Sequence, residues 1–193
     1  MELNVLLTGL KVHDYTIEAI RTIHEHNPEV DIIWIDAGEE PSEIEHCRVI
    51  HLPGASLAKS FNFAIRENPA TWHLIVNDDV VCLGKVDTDK LFGGCLYGPM
   101  MAGSPEVGDN PYLEGWAYFL SNHAFHDGVT FDDNITRCEW SDFDITMQAR
   151  AKGYRIEAMD FPFDHLRLSK RKGCSDSDAW KANLEYVKRK WEV

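Results

Sequence analysis

The chain has 193 residues, 44% of them hydrophobic and 11% aromatic, enough to bury one sizeable core and too many for a disordered segment. A formal net charge of −13 argues against broad electrostatic attachment to nucleic acid or anionic lipid. No run reaches bilayer length, "MELNVLL" lacks the pattern of a signal peptide, and the five scattered cysteines form no CxxC pair, so a cytoplasmic protein with free thiols is expected.

In chain order, "NVLLTGL" is an apolar run stopped at Gly9 and reads as a buried strand ending near Thr8. "HDYTIEAIRTIHEHNP" places Ile17, Ile20 and Ile23 along one side of a helix, with Asp14 as its expected N-cap and Asn27-Pro28 as its stop. "VDIIWIDAG" is a second strand ending in Asp36, and "CRVIHL" a third before the turn at Pro53-Gly54. "SLAKSFNFAIRENP" carries Leu57, Phe61, Ala64 and Ile65 at helical spacing, capped by Ser56. "WHLIVNDD" follows as a strand. Strands alternating with helices through residue 80 predict an α/β fold with a parallel sheet, whose ligands collect at the carboxyl ends of the strands, where Thr8, Asp36 and Asn77-Asp78-Asp79 fall.

Beyond residue 80 the rhythm changes. The Gly/Pro-rich stretch from Leu91 to Gly115 predicts one strand and a mobile loop, and "GWAYFLS" a further strand. "SDFDITMQARAKG" predicts a helix closed by Gly153, and "YRIEAMDFPFDH" a strand leading into a loop that carries His165. The last helix aligns Trp180, Leu184, Val187 and Trp191 on one face. Eight Lys/Arg against four Asp/Glu from residue 166 onward make a local +4, which leaves −17 for residues 1–165. That basic tail suits either a phosphate-binding loop or a solvated helix face. One domain is expected over 1–193, comprising a nucleotide-binding half (1–80), an acceptor and catalytic half (81–165), and a basic loop and helix (166–193).

Three features could carry chemistry. Adjacent like charges at a strand end, Asp78 and Asp79, are costly without a cation or ample water; they fit Mg²⁺ or Mn²⁺ shared with phosphates, or an ordinary solvated turn. Asp142 and Asp144 open a helix two residues apart and so point to different sides, where capping or a general base would each suit a carboxylate. His165 could complete a metal site beside carboxylate oxygens. His123 and His126 form an HxxH without the Glu of a metalloprotease helix, and His24 and His26 read as surface residues. GxGxxG, GxxxxGK[ST] and GxSxG are absent from the sequence, against dinucleotide, P-loop and serine-hydrolase readings.

Taken in order, these pieces resemble the inverting family-two glycosyltransferases of the A-type nucleotide-diphospho-sugar transferase fold. The resemblance rests on the Thr8 strand, Asp36, "GASLAKSFNFAI", "LIVNDDV", and the run from "YLEGWAYFLS" through "CEWSDFDITMQARAKGYRIEAM" to the following histidine. It departs at Asn77, which replaces an Asp, and at Ser141, which replaces a Glu. It implies a single-domain A-type fold with a mixed, mostly parallel sheet flanked by helices and a Rossmann-like N-terminal half. It further implies that Thr8 and Asp36 contact the nucleoside, with Lys59 and Asn62 on the helix facing it. Asp79 and His165 would ligate Mn²⁺ or Mg²⁺, with Asp78 or Asn77 at the ribose or behind the ligands. Asp142 would be the base; Glu114, Gly115 and Trp116 would border sugar and acceptor, Trp116 as a stacking platform or as core. Lys170, Arg171 or Lys172 would meet the diphosphate. The implied partners are a UDP- or GDP-sugar donor, a saccharide, lipid-linked or protein acceptor, and a second copy or another protein completing a short acceptor side. The rival readings are a sugar-phosphate nucleotidyltransferase, which would need a Gly-rich basic loop after the first strand, and a non-catalytic nucleotide-sugar-binding protein.

Overall fold

A computed structural model describes residues 2–136, 140–168 and 178–193. Leu3–Gly9 (β1) and Trp72–Val76 (β4) are buried along almost their whole length. Their side chains alternate between two cores: Leu3, Val5, Leu7, Trp72, Leu74 and Val76 face one, Leu6 and Ile75 the other. Cover on both faces is why these strands are continuous apolar runs and not alternating ones. Asp14–His26 (α1) covers the first face with Ala19, Ile20 and Ile23. Leu57–Glu67 (α2) covers the second with Phe61, Ala64 and Ile65.

The helix ends explain themselves locally. Ser56 accepts the backbone N–H of Lys59 at 3.1 Å and caps α2 as expected. Asp14 does not cap α1. The cap position falls to His13, whose extended backbone N–H donates to Thr16 Oγ1 at 3.3 Å, and Asp14 becomes the first helical residue, where its charge still complements the helix dipole.

Asp31–Asp36 (β2) lies parallel to β1, and Arg48–His51 (β3) parallel to β2. On the other side of β1, β4 is parallel to it, after which Ala117–Ser121 (β9) runs antiparallel to β4. Cys95–Gly98 (β6) is antiparallel to β9, and Arg155–Ala158 (β10) is parallel to β6. The result is a mixed, mostly parallel seven-stranded sheet of order β10-β6-β9-β4-β1-β2-β3. The change of direction at β4/β9 is where the two halves of the chain meet.

Two small ribbons stand outside this sheet. Val80–Cys82 (β5) pairs antiparallel with Phe163–His165 (β11), and Met100–Met101 (β7) with Tyr112–Leu113 (β8). Three short strands therefore occupy the Gly/Pro-rich region where one was expected. The strand expected from Tyr154 onward is β10, in the large sheet, and the loop expected after it contains a further short strand, β11, in a ribbon. His165 is the last residue of β11 and not part of a following loop. Asn122–His126 (α3), Ser141–Ala151 (α4) and Asp178–Trp191 (α5) complete the described elements. Gly153, at φ +83°, closes α4. On α5, Leu184 and Val187 are buried, and Trp180 and Trp191 pack partly buried against a third core that includes Trp140 and Phe143. Among the described residues no helix is long and apolar enough to cross a membrane.

Candidate active site

A cavity of about 450 Å³ opens at the carboxyl ends of β1 and β4 and is closed on its far side by the start of α4. It brings together Thr8, Asn77, Asp78, Glu114, Gly115, Trp116, Asp142 and His165 from the residues singled out in the sequence. A larger cavity, about 660 Å³, lies at the opposite strand ends among Glu2, Asn4, Glu29, Asp31 and Asp87. We place the chemistry in the smaller one, because ligands of open α/β sheets bind beyond the carboxyl ends of the strands and because Asp142, a carboxylate whose pKa burial pushes up to about 6, lines it.

The β5/β11 ribbon assembles the first half of the site. It pairs His165 with Val80 and lets the Leu166 N–H donate to the Asp79 carbonyl at 2.9 Å. His165 Nε2 then stands 3.3 Å from Oδ1 of Asp79, whose carboxylate is 1% exposed. Two donor atoms that share one ion in adjacent positions, each about 2.1 Å from it, sit roughly 3 Å apart, so this pair fits a divalent cation. Among the described residues no cluster of three or more His, Cys, Asp or Glu could hold a metal; two protein ligands would leave the remaining positions to phosphate oxygens and water, as Mg²⁺ and Mn²⁺ accept. The neighbouring Asp78 does something different. Its Oδ2 accepts from Thr16 Oγ1 at 2.8 Å, which ties the end of β4 to the first turn of α1. Burial raises its pKa, and the Thr16 hydrogen bond only partly offsets that, with the charge of Asp79 adding to the rise.

The second half is built on α4. Trp140 enters the helix in the left-handed region, φ +70°, a costly conformation for a residue with a side chain. Asp142 then faces the cavity, where its Oδ2 accepts the Gly115 N–H at 3.0 Å and its Oδ1 the Phe143 N–H at 2.8 Å. Burial pushes its pKa up to about 6 against those two hydrogen bonds, and the charge of Glu114 contributes to the rise. Asp144 turns the other way and is 1% exposed. It accepts from Trp191 Nε1 at 2.7 Å and pairs with Lys190 at 2.8 Å, so it anchors α5. Lys190 also bridges to Asp132, 2.7 Å away. Burial works against ionisation of Asp132, but Lys190, the Asn134 N–H and Tyr186 together bring its pKa down to about 2.

Other residues singled out in the sequence are not brought into this cavity. Asp36 is 2% exposed, and its carboxylate accepts the N–H of Gly38 at 2.9 Å and both the N–H and the hydroxyl of Ser42 at 2.7 Å. Burial opposes its ionisation, but these hydrogen bonds outweigh burial and hold its pKa below the ordinary value. Asp36 thus shapes its own loop and is not among the residues that line the cavity. Asn62 Nδ2 donates to the Phe131 carbonyl at 2.8 Å and Oδ1 accepts the Phe131 N–H at 3.0 Å, so the amide clamps one wall of the cavity from behind. Lys59 lines a separate groove with Pro53, Arg66 and Asp133 on the outer side of α2. Trp116 lines the cavity, and one face of its ring is stacked on His165, with centroids 5.1 Å apart and planes 20° apart. Lys170, Arg171 and Lys172 lie outside the described residues.

Arg167 was not singled out. It lines the cavity beside His165, is exposed, and has a left-handed backbone at φ +54°. A basic residue two positions after a candidate metal ligand was the available signal. The left-handed turn that sends it into the cavity has no sequence mark, since glycine or asparagine normally occupies such positions.

No family model and no curated protein sequence matches the chain. Solved structures do. The Drosophila β1,4-galactosyltransferase 7 catalytic domain in complex with xylobiose aligns over 98% of this chain and 80% of its own, with a TM-score of 0.68 and 10% identity. GalNAc-T7 with UDP, GalNAc and Mn²⁺ aligns over 97% of this chain and 47% of its own, with a TM-score of 0.71 and 10% identity. A Pyrobaculum calidifontis mannosyltransferase in complex with GDP-Man and Mn²⁺ aligns over 82% of this chain and 54% of its own, at a TM-score of 0.58 and 10% identity. The chain thus spans about half the length of two of these three proteins. The fold is that of the A-type glycosyltransferases. Nearly the whole of this chain, 98% and 97%, aligns with the galactosyltransferase 7 and GalNAc-T7 structures.

Proposed function

We propose that the chain is a metal-dependent inverting glycosyltransferase that moves a sugar from a nucleotide-diphospho-sugar to an acceptor hydroxyl. The observation that carries this reading is one cavity lined by Asp142, with its raised pKa, and by His165, whose Nε2 stands 3.3 Å from the buried Asp79 behind it. Asp142 accepts the proton of the acceptor hydroxyl as that oxygen bonds to the anomeric carbon, and the bond from that carbon to the diphosphate oxygen breaks on the opposite face. One displacement of this kind inverts the stereochemistry. A carboxylate with a pKa near 6 is ionised at neutral pH and more basic than an ordinary Asp, as a general base requires. A Mn²⁺ or Mg²⁺ ion held by Asp79 and His165 would supply charge neutralisation at the leaving diphosphate. Arg167 adds positive charge at the same wall, in a position to pair with phosphate oxygens. Asn77 and Asp78, at the end of β4, would border the nucleotide, and Met101, Tyr112 and Ser141, which line the same cavity, would border the acceptor.

The donors to test are UDP- and GDP-sugars, and the acceptor classes are saccharide, lipid-linked and protein hydroxyls. A ligand that binds only the native state raises its stability. In a thermal-shift screen with and without Mn²⁺, at least one nucleotide sugar should therefore raise Tm by several degrees only with the ion present. Slow donor hydrolysis by the same sample separates an enzyme from a binding protein. A screen in which no nucleotide sugar shifts Tm under either condition rejects the reading.

A further inference from the structure

The tripeptide Glu114-Gly115-Trp116 touches both halves of the site. The Gly115 N–H donates to Asp142 Oδ2 at 3.0 Å, the Trp116 carbonyl accepts the Asn77 N–H at 2.8 Å, and the Trp116 ring lies flat against His165. Trp116 itself is held at two points: Nε1 donates to Glu114 Oε2 at 2.6 Å, and its ring meets Phe161 edge-on, with centroids 6.3 Å apart. The His165 ring needs such a neighbour. Ligating histidines are usually oriented by a hydrogen bond from their second nitrogen, whereas among the described residues no hydrogen bond fixes the His165 ring. The plane that aims Nε2 at Asp79 is set by the indole.

We propose that Trp116 is the positioning residue for His165, that Glu114 locks the indole in place, and that the 114–116 segment thereby sets the cation pair and the base relative to one another. The proposal rests on the glycosyltransferase reading for what the cation is used for, but the geometry is independent of turnover. A flat ring against an imidazole restricts rotation about its side-chain bonds while leaving Nε2 open, which a bulky aliphatic residue would not do. The hydrogen bond to Glu114 keeps the indole from swinging into the cavity. Deletion of the ring should therefore weaken cation binding without removing a ligand.

The test is Mn²⁺ binding by the full chain, measured by the electron paramagnetic resonance signal of free Mn²⁺, alone and with UDP. Trp116→Ala should weaken Mn²⁺ binding by about 10- to 100-fold, the range found when groups that orient metal ligands are removed. Trp116→Phe should recover to within a few-fold, since a flat ring remains, and Glu114→Ala should fall between, with Glu114→Gln restoring it. Quenching of tryptophan fluorescence by Mn²⁺ should lose its strongest component in Trp116→Phe, and thermal unfolding reports whether each variant folds. If Trp116→Ala binds Mn²⁺ as wild type does while His165→Ala does not, the positioning role is wrong and the enzyme reading stands. If Trp116→Phe is as weak as Trp116→Ala, ring stacking is not the cause and the proposal fails. If the wild type binds no Mn²⁺ even with UDP, the proposal and the metal-dependent reading fail together.

Discussion

Asp36 and Asp142 belong to the two halves of the chain and are used in opposite ways. Asp36, at the end of β2, is surrounded by the N–H groups and hydroxyl of its own loop, which hold its pKa below the usual value despite burial. Asp142, at the start of α4, receives two backbone hydrogen bonds, and burial still wins, lifting its pKa to about 6. The first carboxylate is fully engaged by structure, and its removal should destabilise the fold. The second is under-solvated in the folded state, and its removal should inactivate. A residue type at the end of a strand or the start of a helix therefore does not reveal its role; the supply of donors around it does.

The largest test of this contrast is Asp142→Asn, which should lower turnover by on the order of 100-fold or more while nucleotide binding survives. The same variant should lose the pH dependence of stability that Asp142 contributes. An Asp whose folded pKa is raised is most favourable below its ordinary value of 3.8 and loses stability as pH rises toward 6. Above pH 6 the folded protein carries a constant deficit of about 1 to 3 kcal/mol; the amide abolishes this titration, but its NH2 cannot accept one of the two backbone N–H groups that Oδ1 and Oδ2 accept. In the wild type, kcat/KM should rise with pH around a midpoint near 6, as the base loses its proton. Near-normal turnover in the variant, or a profile flat from pH 5 to 7, removes Asp142 as the base.

Asp36→Ala should do the reverse. It leaves the Gly38 N–H and the N–H and hydroxyl of Ser42, both half-buried residues, without their acceptor. Unsatisfied buried donors cost about 1 to 3 kcal/mol, so a loss of about 2 kcal/mol in urea denaturation is expected, with activity per folded molecule little changed. A variant of wild-type stability that has lost nucleotide affinity would instead return Asp36 to the nucleoside.

The halves also differ in how much of them could be read from sequence. β1, α1, β2, β3, α2 and β4 follow one another as parallel strands and covering helices, and their apolar runs, caps and Asn-Pro stops are local signals. Two slips occur there: the cap of α1, which turns on one backbone hydrogen bond to Thr16, and Ile17, which is 49% exposed while Ile20 and Ile23 are buried. After residue 80 the pairings are antiparallel, short or distant. β5 has three residues and finds β11 some eighty positions later, a contact with no periodicity to announce it. The same holds for the site. Asp142 and His165 were legible as carboxylate and imidazole in an ordered pattern, but the stacking of Trp116 on His165, the clamping of Phe131 by Asn62 and the turn at Arg167 depend on side-chain direction. Spacing along the chain carries none of that.

Gly115→Ala probes the same contrast more gently, by crowding the base without altering it. A Cβ at Gly115 would lie 3.0 Å from Asp142 Oδ2, 3.1 Å from its Cβ and 3.2 Å from its Cγ, closer than ordinary van der Waals contact. The carboxylate or the 114–116 segment must shift by a few tenths of an ångström, and small misplacements of a catalytic group are costly. We expect turnover to fall about tenfold, corresponding to about 1.4 kcal/mol, with Tm within a few degrees of wild type. Unchanged turnover would mean that the position of Asp142 is set by α4 alone.

The smallest expected effect lies at the seam between the halves. His73 on β4 is fully buried, opposite Leu120 of β9, and burial lowers its pKa to about 4. Its contribution is flat above pH 6.5, where folded and unfolded chains both hold it neutral. As pH falls from 6.5 toward 4 only the unfolded chain takes up the proton, so stability declines across that window and levels off below it. At pH 5.5 the loss should be on the order of 1 kcal/mol, enough to loosen the β4/β9 junction before either half is directly affected. His73→Leu should abolish this component, and because other groups titrate equally in both proteins, the difference between their urea midpoints at pH 7.5 and pH 5.5 isolates it. Parallel pH–stability curves for the two proteins would show that His73 is solvated or partnered in solution and that acid acts on the molecule somewhere other than this seam.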